Sequence, residues 1–94
     1  MQIVYAPAPP SRPPGSGRAG FVIGRKALPR AVDRNRLKRM LRESLRASRP
    51  AVRAFDLVLR LRNPVATTLL SQVAREADAL IRDIVAGRPT EGPR

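Results

Sequence analysis

Apolar positions in this chain fall into short blocks separated by proline, glycine or clustered charge. Ile3, Val4 and Tyr5 make Met1–Tyr5 a short strand of good sheet formers. Pro7 to Gly17 reads P-A-P-P-S-R-P-P-G-S-G. Neither a helix nor a central strand accommodates that composition, so a flexible loop is expected there. Phe21-Val22-Ile23 then marks a buried strand within Arg18–Gly24. Two strands joined by one loop predict a long hairpin.

Arg25 to Val32 is a basic connector containing Pro29. Asp33 stands where an N-cap belongs, and Arg34 to about Ser48 has helix formers throughout, with Pro50 as the stop. Phe55, Leu57, Leu59 and Leu61 alternate with Asp56, Val58, Arg60 and Arg62, the period of a strand, and Asn63-Pro64 ends it. A second helix is expected from about Thr68 to Ala86, capped by Thr67 or Thr68. Its apolar seam is Leu69, Val73, Ala77, Leu80 and Ile84, with Gly87 as the stop. The order strand, strand, helix, strand, helix predicts an α+β fold, a two-layer sandwich of a small sheet and helices. Residues 1–87 form the single domain, and 88–94 are expected to be a disordered tail.

Charge changes the picture from fold to partner. Lys and Arg number 19 against 7 acids, a formal net charge of +12. Self-repulsion of that size is relieved by a polyanion. Only Lys26 and Lys38 are lysines. Arginine grips phosphate with a planar fork and stacks on bases, which favours nucleic acid over a lipid surface, although an arginine-rich genome biases the count too. With no histidine, Ser-His-Asp and Cys-His catalysis and His-ligated zinc are excluded; with no cysteine, so are disulfides and thiolate metal sites. A cytoplasmic protein without membrane span or signal peptide is expected.

The basic residues concentrate on the first helix. At 100° per residue, Leu37, Met40, Leu41 and Ser44 share one side, with Leu45 at its edge. Arg34, Lys38, Arg42 and Arg46 share the other at i, i+4 spacing, flanked by Asn35 and Arg39. Like charges at that spacing repel, and only Glu43 and Asp33 lie near to offset them. Glu43 is expected to pair with Arg39 or Arg46. A solvated arginine-rich face is the bland alternative to a binding face. Arg25, Lys26 and Arg30 extend the basic surface beyond the start of the helix.

Arg34-Asn35-Arg36-Leu37-Lys38-Arg39-Met40-Leu41-Arg42-Glu43 resembles the R-N-R-x-K-R-x-x-R-E signature of the bacterial ribonuclease P protein family. The preceding Arg18 to Lys26, ending in a basic pair, and the following Phe55 to Leu59 are similar to that family's flanking strands, so the resemblance covers roughly residues 1–86. It implies the ribonuclease P protein-like fold, with a left-handed crossover from the second strand through the signature helix to the third. Right-handed crossovers are otherwise the rule. It implies the protein subunit of an endoribonuclease whose RNA subunit performs Mg²⁺-dependent removal of the 5′ leader from precursor tRNA. The partners implied are that catalytic RNA, one per protein, and precursor tRNA, with no cofactor held by the protein and no catalytic residue. Arg34, Asn35, Arg36, Lys38, Arg39 and Arg42 are the RNA-facing residues on this reading, joined by Arg46, Arg25, Lys26 and Arg30. The family usually begins with a further helix and strand, which are expected to be missing from a chain starting Met1-Gln2-Ile3-Val4-Tyr5. Tyr5 and Phe21 are the aromatics left to line a leader-binding cleft, with core packing as the alternative role for both.

Other readings compete. A structural protein of ribosomal RNA would use the same face. A protein-only nuclease needs acids bracketing a metal, and Glu76, Asp78 and Asp83 form no persuasive pair. A sequence-specific DNA reader needs side chains suited to base edges, which the first helix has few of. Gly15-Ser16-Gly17-Arg18-Ala19-Gly20 matches G-x-G-x-x-G, but it follows a proline-rich loop and opens a strand, the wrong setting for a dinucleotide.

Overall fold

Alternation at Leu57, Leu59 and Leu61 decides the architecture. In the computed structural model, which describes residues 1–87, these leucines are all buried on one side of β3 (Phe55–Leu61). β3 is the middle strand of a three-stranded sheet, with β1 (Gln2–Pro7) antiparallel on one side and β2 (Ala19–Ile23) parallel on the other. Ile3 and Phe21 both pair with Leu59, so that rung of the inner face is filled from three strands.

The expected hairpin of β1 and β2 therefore does not form. The strand with the strongest apolar alternation takes the centre, where both of its edges and its whole inner face are satisfied. Two inter-strand spacings, about 10 Å in all, separate the outer strands. The proline-rich connection spans that gap across the start of β3. It is irregular, as its composition requires, and Ala8 N–H donates to the Ala54 carbonyl and Gly17 N–H to the Arg53 carbonyl, at 2.8 Å each. Pro7 ends β1, an edge strand, where a missing N–H is tolerated.

Helices α1 (Ala31–Ala47) and α2 (Leu70–Val85) pack on each other and form the second layer. Leu37 and Leu41 of α1 join Val73, Ala77, Ile81 and Ile84 of α2 and the inner sheet leucines in one core. Val22 and Val58, on the other face of the sheet, are 50% and 39% exposed.

The ends of the helices differ from expectation. α1 begins at Ala31, with Arg30 at the N-cap and no side-chain cap bond. Asp33 lies in the first turn instead, 5% exposed, accepting a 2.8 Å hydrogen bond from the Thr67 hydroxyl. A carboxylate there also faces the positive end of the helix dipole. That bond takes Thr67 away from capping α2, which is led in by a 3₁₀ turn at Thr67–Leu69 and has Leu69 at its N-cap without a side-chain bond. The buried seam of α2 is accordingly Leu70, Val73, Ala77, Ile81 and Ile84. Leu69 sits before the α-helical phase begins and is 46% exposed, and Leu80 is only part-buried at the edge of the seam. Gly87 adopts the left-handed conformation (φ 75°) expected of a helix stop. The predicted tail over 88–94 lies outside the described residues.

Of the described glycines, Gly17 is the one pressed against another segment's backbone. A β-carbon there would stand 2.2 Å from the Phe55 carbonyl oxygen and 2.4 Å from that of Arg53. Gly17→Ala should therefore lift the loop off β3 and cost on the order of 1–3 kcal/mol. Urea denaturation reads this directly, and an unchanged midpoint would mean that the loop is not held against the strand.

Candidate nucleic-acid interface

The basic residues of α1 do not form one uniform stripe. Four residues advance a helix by 400°, so an i, i+4 row drifts about 40° per step. The row starts beside the apolar face and turns outward along the helix: Arg34 and Lys38 are part-buried, whereas Arg42 and Arg46 are exposed. Asn35, Arg36 and Arg39 are exposed, as are Arg25, Lys26 and Arg30 in the connector. From Arg34 to Arg46 the rise is about 18 Å. The expected site thus divides into two ends.

At the N-terminal end, the connector folds inward. Ala27 and Leu28 are 2% and 1% exposed, and their amides both donate to the Gly24 carbonyl. Val65 N–H donates to the Ala27 carbonyl at 3.1 Å. Burial of these two residues turns Arg25, Lys26 and Arg30 outward. Arg34 reaches back, its Nη1 donating to the carbonyls of Leu28 at 2.8 Å and Pro29 at 2.9 Å.

At the C-terminal end, α1 and the sheet enclose an open cleft of about 270 Å³. Arg18, Arg42, Arg46, Arg49 and Arg53 line it, with Phe21 and Phe55 among its apolar residues. The Arg42 guanidinium carbon lies 5.4 Å from the centre of the Phe21 ring, a cation–π contact that holds the arginine over an aromatic floor. No acid lines the cleft. Cationic forks above aromatic and aliphatic surface can bind phosphate and accept a stacked base together, the chemistry of a site for single-stranded nucleic acid.

Asp56 of β3 ties the proline-rich loop to the sheet. Its carboxylate accepts a 3.0 Å bond from Arg18 N–H and an ion-paired bond from Arg12 of the proline-rich loop. The Arg18 amide, and after it the Arg12 guanidinium, hold its carboxyl below the usual aspartate value against the opposing effect of desolvation. A carboxylate depressed in the folded state stabilises above its unfolded value and loses that contribution as pH falls through the folded one. The loop should therefore loosen only below about pH 4, the ordinary aspartate range. Acid titration of wild type against Asp56→Asn checks this; wild-type loop signals that move at neutral pH would contradict it.

Of the two aromatics expected at a cleft, Phe21 lines it and Tyr5 does not. Tyr5 packs edge-on against Phe55, with ring centres 6.2 Å apart, and Phe55 lines the cleft in its place. Glu43 pairs with Arg46 at 3.4 Å, both exposed. Arg18, Arg49 and Arg53 were not expected. The last two flank Pro50 within five residues, and their signal was a second basic cluster just past the end of the helix. Among the described residues there is no group of three or more acidic side chains placed to hold a metal ion, and no helix long and apolar enough to cross a membrane.

Comparison with known proteins bears on this arrangement. The family model described as Ribonuclease P matches residues 1–85. The ribonuclease P protein component of Bordetella parapertussis is 42% identical over 72 residues, which are 77% of this chain and 58% of that protein. That of Bordetella avium is 40% identical over 80 residues, 81% of this chain and 67% of its own. That of Aromatoleum aromaticum is 51% identical over 51 residues, 54% and 43% of the two chains. No solved structure gives a significant match. The chain thus spans less than two thirds of the length of most of these relatives. A match over nearly all of the described residues, including the arginine-rich helix and the strands that frame it, shows that the chain belongs to the family of ribonuclease P protein components.

Proposed function

We propose that this chain acts as the protein subunit of ribonuclease P, binding a catalytic RNA and assisting removal of the 5′ leader from precursor tRNA. The family match supports the role, and the division of the basic surface supports a division of labour. The exposed Asn35, Arg36 and Arg39, with Lys38 beside them and Arg25, Lys26 and Arg30 in the connector, face the RNA subunit. The cleft of Arg18, Arg42, Arg46, Arg49 and Arg53 over Phe21 takes a single-stranded segment, the leader. The observation that carries this reading is the cleft itself: five arginines and no acid around an aromatic floor.

Hydrolysis is then the work of the RNA with Mg²⁺. The chain screens two polyanions from each other and holds the RNA in its active form, one protein per RNA. Family membership also carries the left-handed sense of the β2–α1–β3 crossover. With about six phosphates neutralised, affinity should fall with salt at a log–log slope near −4 to −5. The test is 5′ cleavage of precursor tRNA at low Mg²⁺ by a bacterial ribonuclease P RNA, with and without this protein. Rescue of cleavage upholds the proposal. Preference for ribosomal RNA without rescue would make the chain a structural RNA binder, and a slope no steeper than −1 would remove the electrostatic account.

A further inference from the structure

The first arginine of the R-N-R triplet faces the protein's own backbone. Arg34 is part-buried, and Nη1 spends both of its N–H groups on two consecutive carbonyls, Leu28 at 2.8 Å and Pro29 at 2.9 Å. Those carbonyls belong to the connector that presents Arg25, Lys26 and Arg30. One residue earlier, Asp33 is buried and bound to Thr67. Adjacent residues of the first turn of α1 thus tie it to two other segments, the β2–α1 connector and the β3–α2 connector. The next two residues of the motif, Asn35 and Arg36, are exposed.

The alternative use of Arg34, a direct phosphate contact, competes with this geometry. Leu28 is 1% exposed and Pro29 must give up its carbonyl to water or to another donor if Arg34 leaves. Leaving a buried acceptor unpaired is costly, and a hydrogen bond from a charged donor is among the stronger ones. Both bonds leave one nitrogen, and the guanidinium holds that nitrogen in a planar, fixed donor geometry, whereas a lysine ammonium is a point charge on a flexible stem.

We infer that Arg34 is a positioning residue: it braces the Leu28–Pro29 backbone so that Arg25, Lys26 and Arg30 are held toward the RNA, and it makes no phosphate contact of its own. This inference rests on the RNA-binding reading for its consequence, but its geometric half is independent of any RNA.

Two measurements separate the halves. The first uses the free protein. Arg34→Ala should speed hydrogen exchange at the Ala27 and Leu28 amides, which donate to the Gly24 carbonyl, by roughly ten- to a hundredfold, the loss of two charge-assisted bonds. Arg39→Ala, on the exposed face, should leave those amides unchanged. Arg34→Lys keeps the charge and much of the stem and guards against misfolding; it should exchange nearly as fast as the alanine variant. Unchanged exchange in both Arg34 variants overturns the brace, whether or not the protein binds RNA.

The second measurement is a cycle of affinities for ribonuclease P RNA at fixed salt. Arg34→Ala should weaken binding about tenfold in the wild-type background. It should weaken it less than about twofold when Arg25 and Lys26 are already alanine, because residues acting as one unit are non-additive. Arg39→Ala should weaken binding equally in both backgrounds. Additive losses for Arg34, or wild-type affinity for Arg34→Lys despite fast exchange, would overturn the inference by showing that the RNA reads the charge itself. Absence of any RNA binding by the wild type would instead overturn the functional reading and leave the exchange result standing.

Discussion

Replacing Arg42 and Arg46 together with alanine should weaken binding of a single-stranded RNA on the order of a hundredfold, the largest functional effect expected from any pair. Both line the cleft, and Arg42 also lies over Phe21, so its loss removes a phosphate partner and uncovers the aromatic floor. Two lost contacts should make the log–log salt slope shallower by about 1.4, from a coefficient of roughly 0.7 per phosphate on a single strand. The measurement is a titration of a short oligonucleotide at several salt concentrations. Arg75→Ala provides the control, since Arg75 lies exposed on α2 away from the cleft and should leave the slope alone. A full-strength slope in the double variant would move the phosphate site elsewhere on the surface.

Leu59→Ala should have the largest effect on stability. Leu59 is fully buried on the central strand, paired with Ile3 on one side and Phe21 on the other. Truncating a leucine in such a position costs about 2–5 kcal/mol, through lost transfer energy and the cavity left behind. Small domains have only about 5–15 kcal/mol in total. The melting temperature should drop by roughly 12 °C or more for a loss near 3 kcal/mol in a chain of this size. Val58→Ala, on the solvent side of the same strand at 39% exposure, should cost less than about 1 kcal/mol. Equal losses at the two positions would mean that the sheet does not bury one face and expose the other. Thermal denaturation of both variants decides it.

Local patterns were legible in the sequence, and relations between distant segments were not. The period-two alternation of β3 and the apolar positions of α1 follow from side-chain geometry within one element, so Leu57, Leu59, Leu61, Leu37 and Leu41 are buried as their spacing predicts. Strand pairing is a non-local choice: proximity along the chain favoured β1 against β2, while burial favoured β3 against both. Asp33 failed as a cap for a similar reason. Its carboxylate found a donor in Thr67, 34 residues away, and local capping rules cannot see such a partner. The row Arg34, Lys38, Arg42, Arg46 is legible in the sequence as basic, but that its first member turns back onto the connector depends on how Leu28 and Pro29 fold. Arg49 and Arg53 reached the cleft only once the chain had turned back after α1 into the 3₁₀ turn at Ala51–Ala54.

The sheet order has a consequence for biosynthesis. The strand that joins the other two is the last of the three to leave the ribosome, so until Leu61 has emerged β1 and β2 have nothing between them. Until then the signature helix is a bare cationic segment without its apolar backing, and in proteins most of a helix's stability comes from packing of its apolar face. Closure of the sheet and burial of the helix must then arrive together, through pairings far apart along the chain, which is the slow class of folding event. During that interval the newborn chain is a strongly basic polymer leaving a particle made largely of RNA.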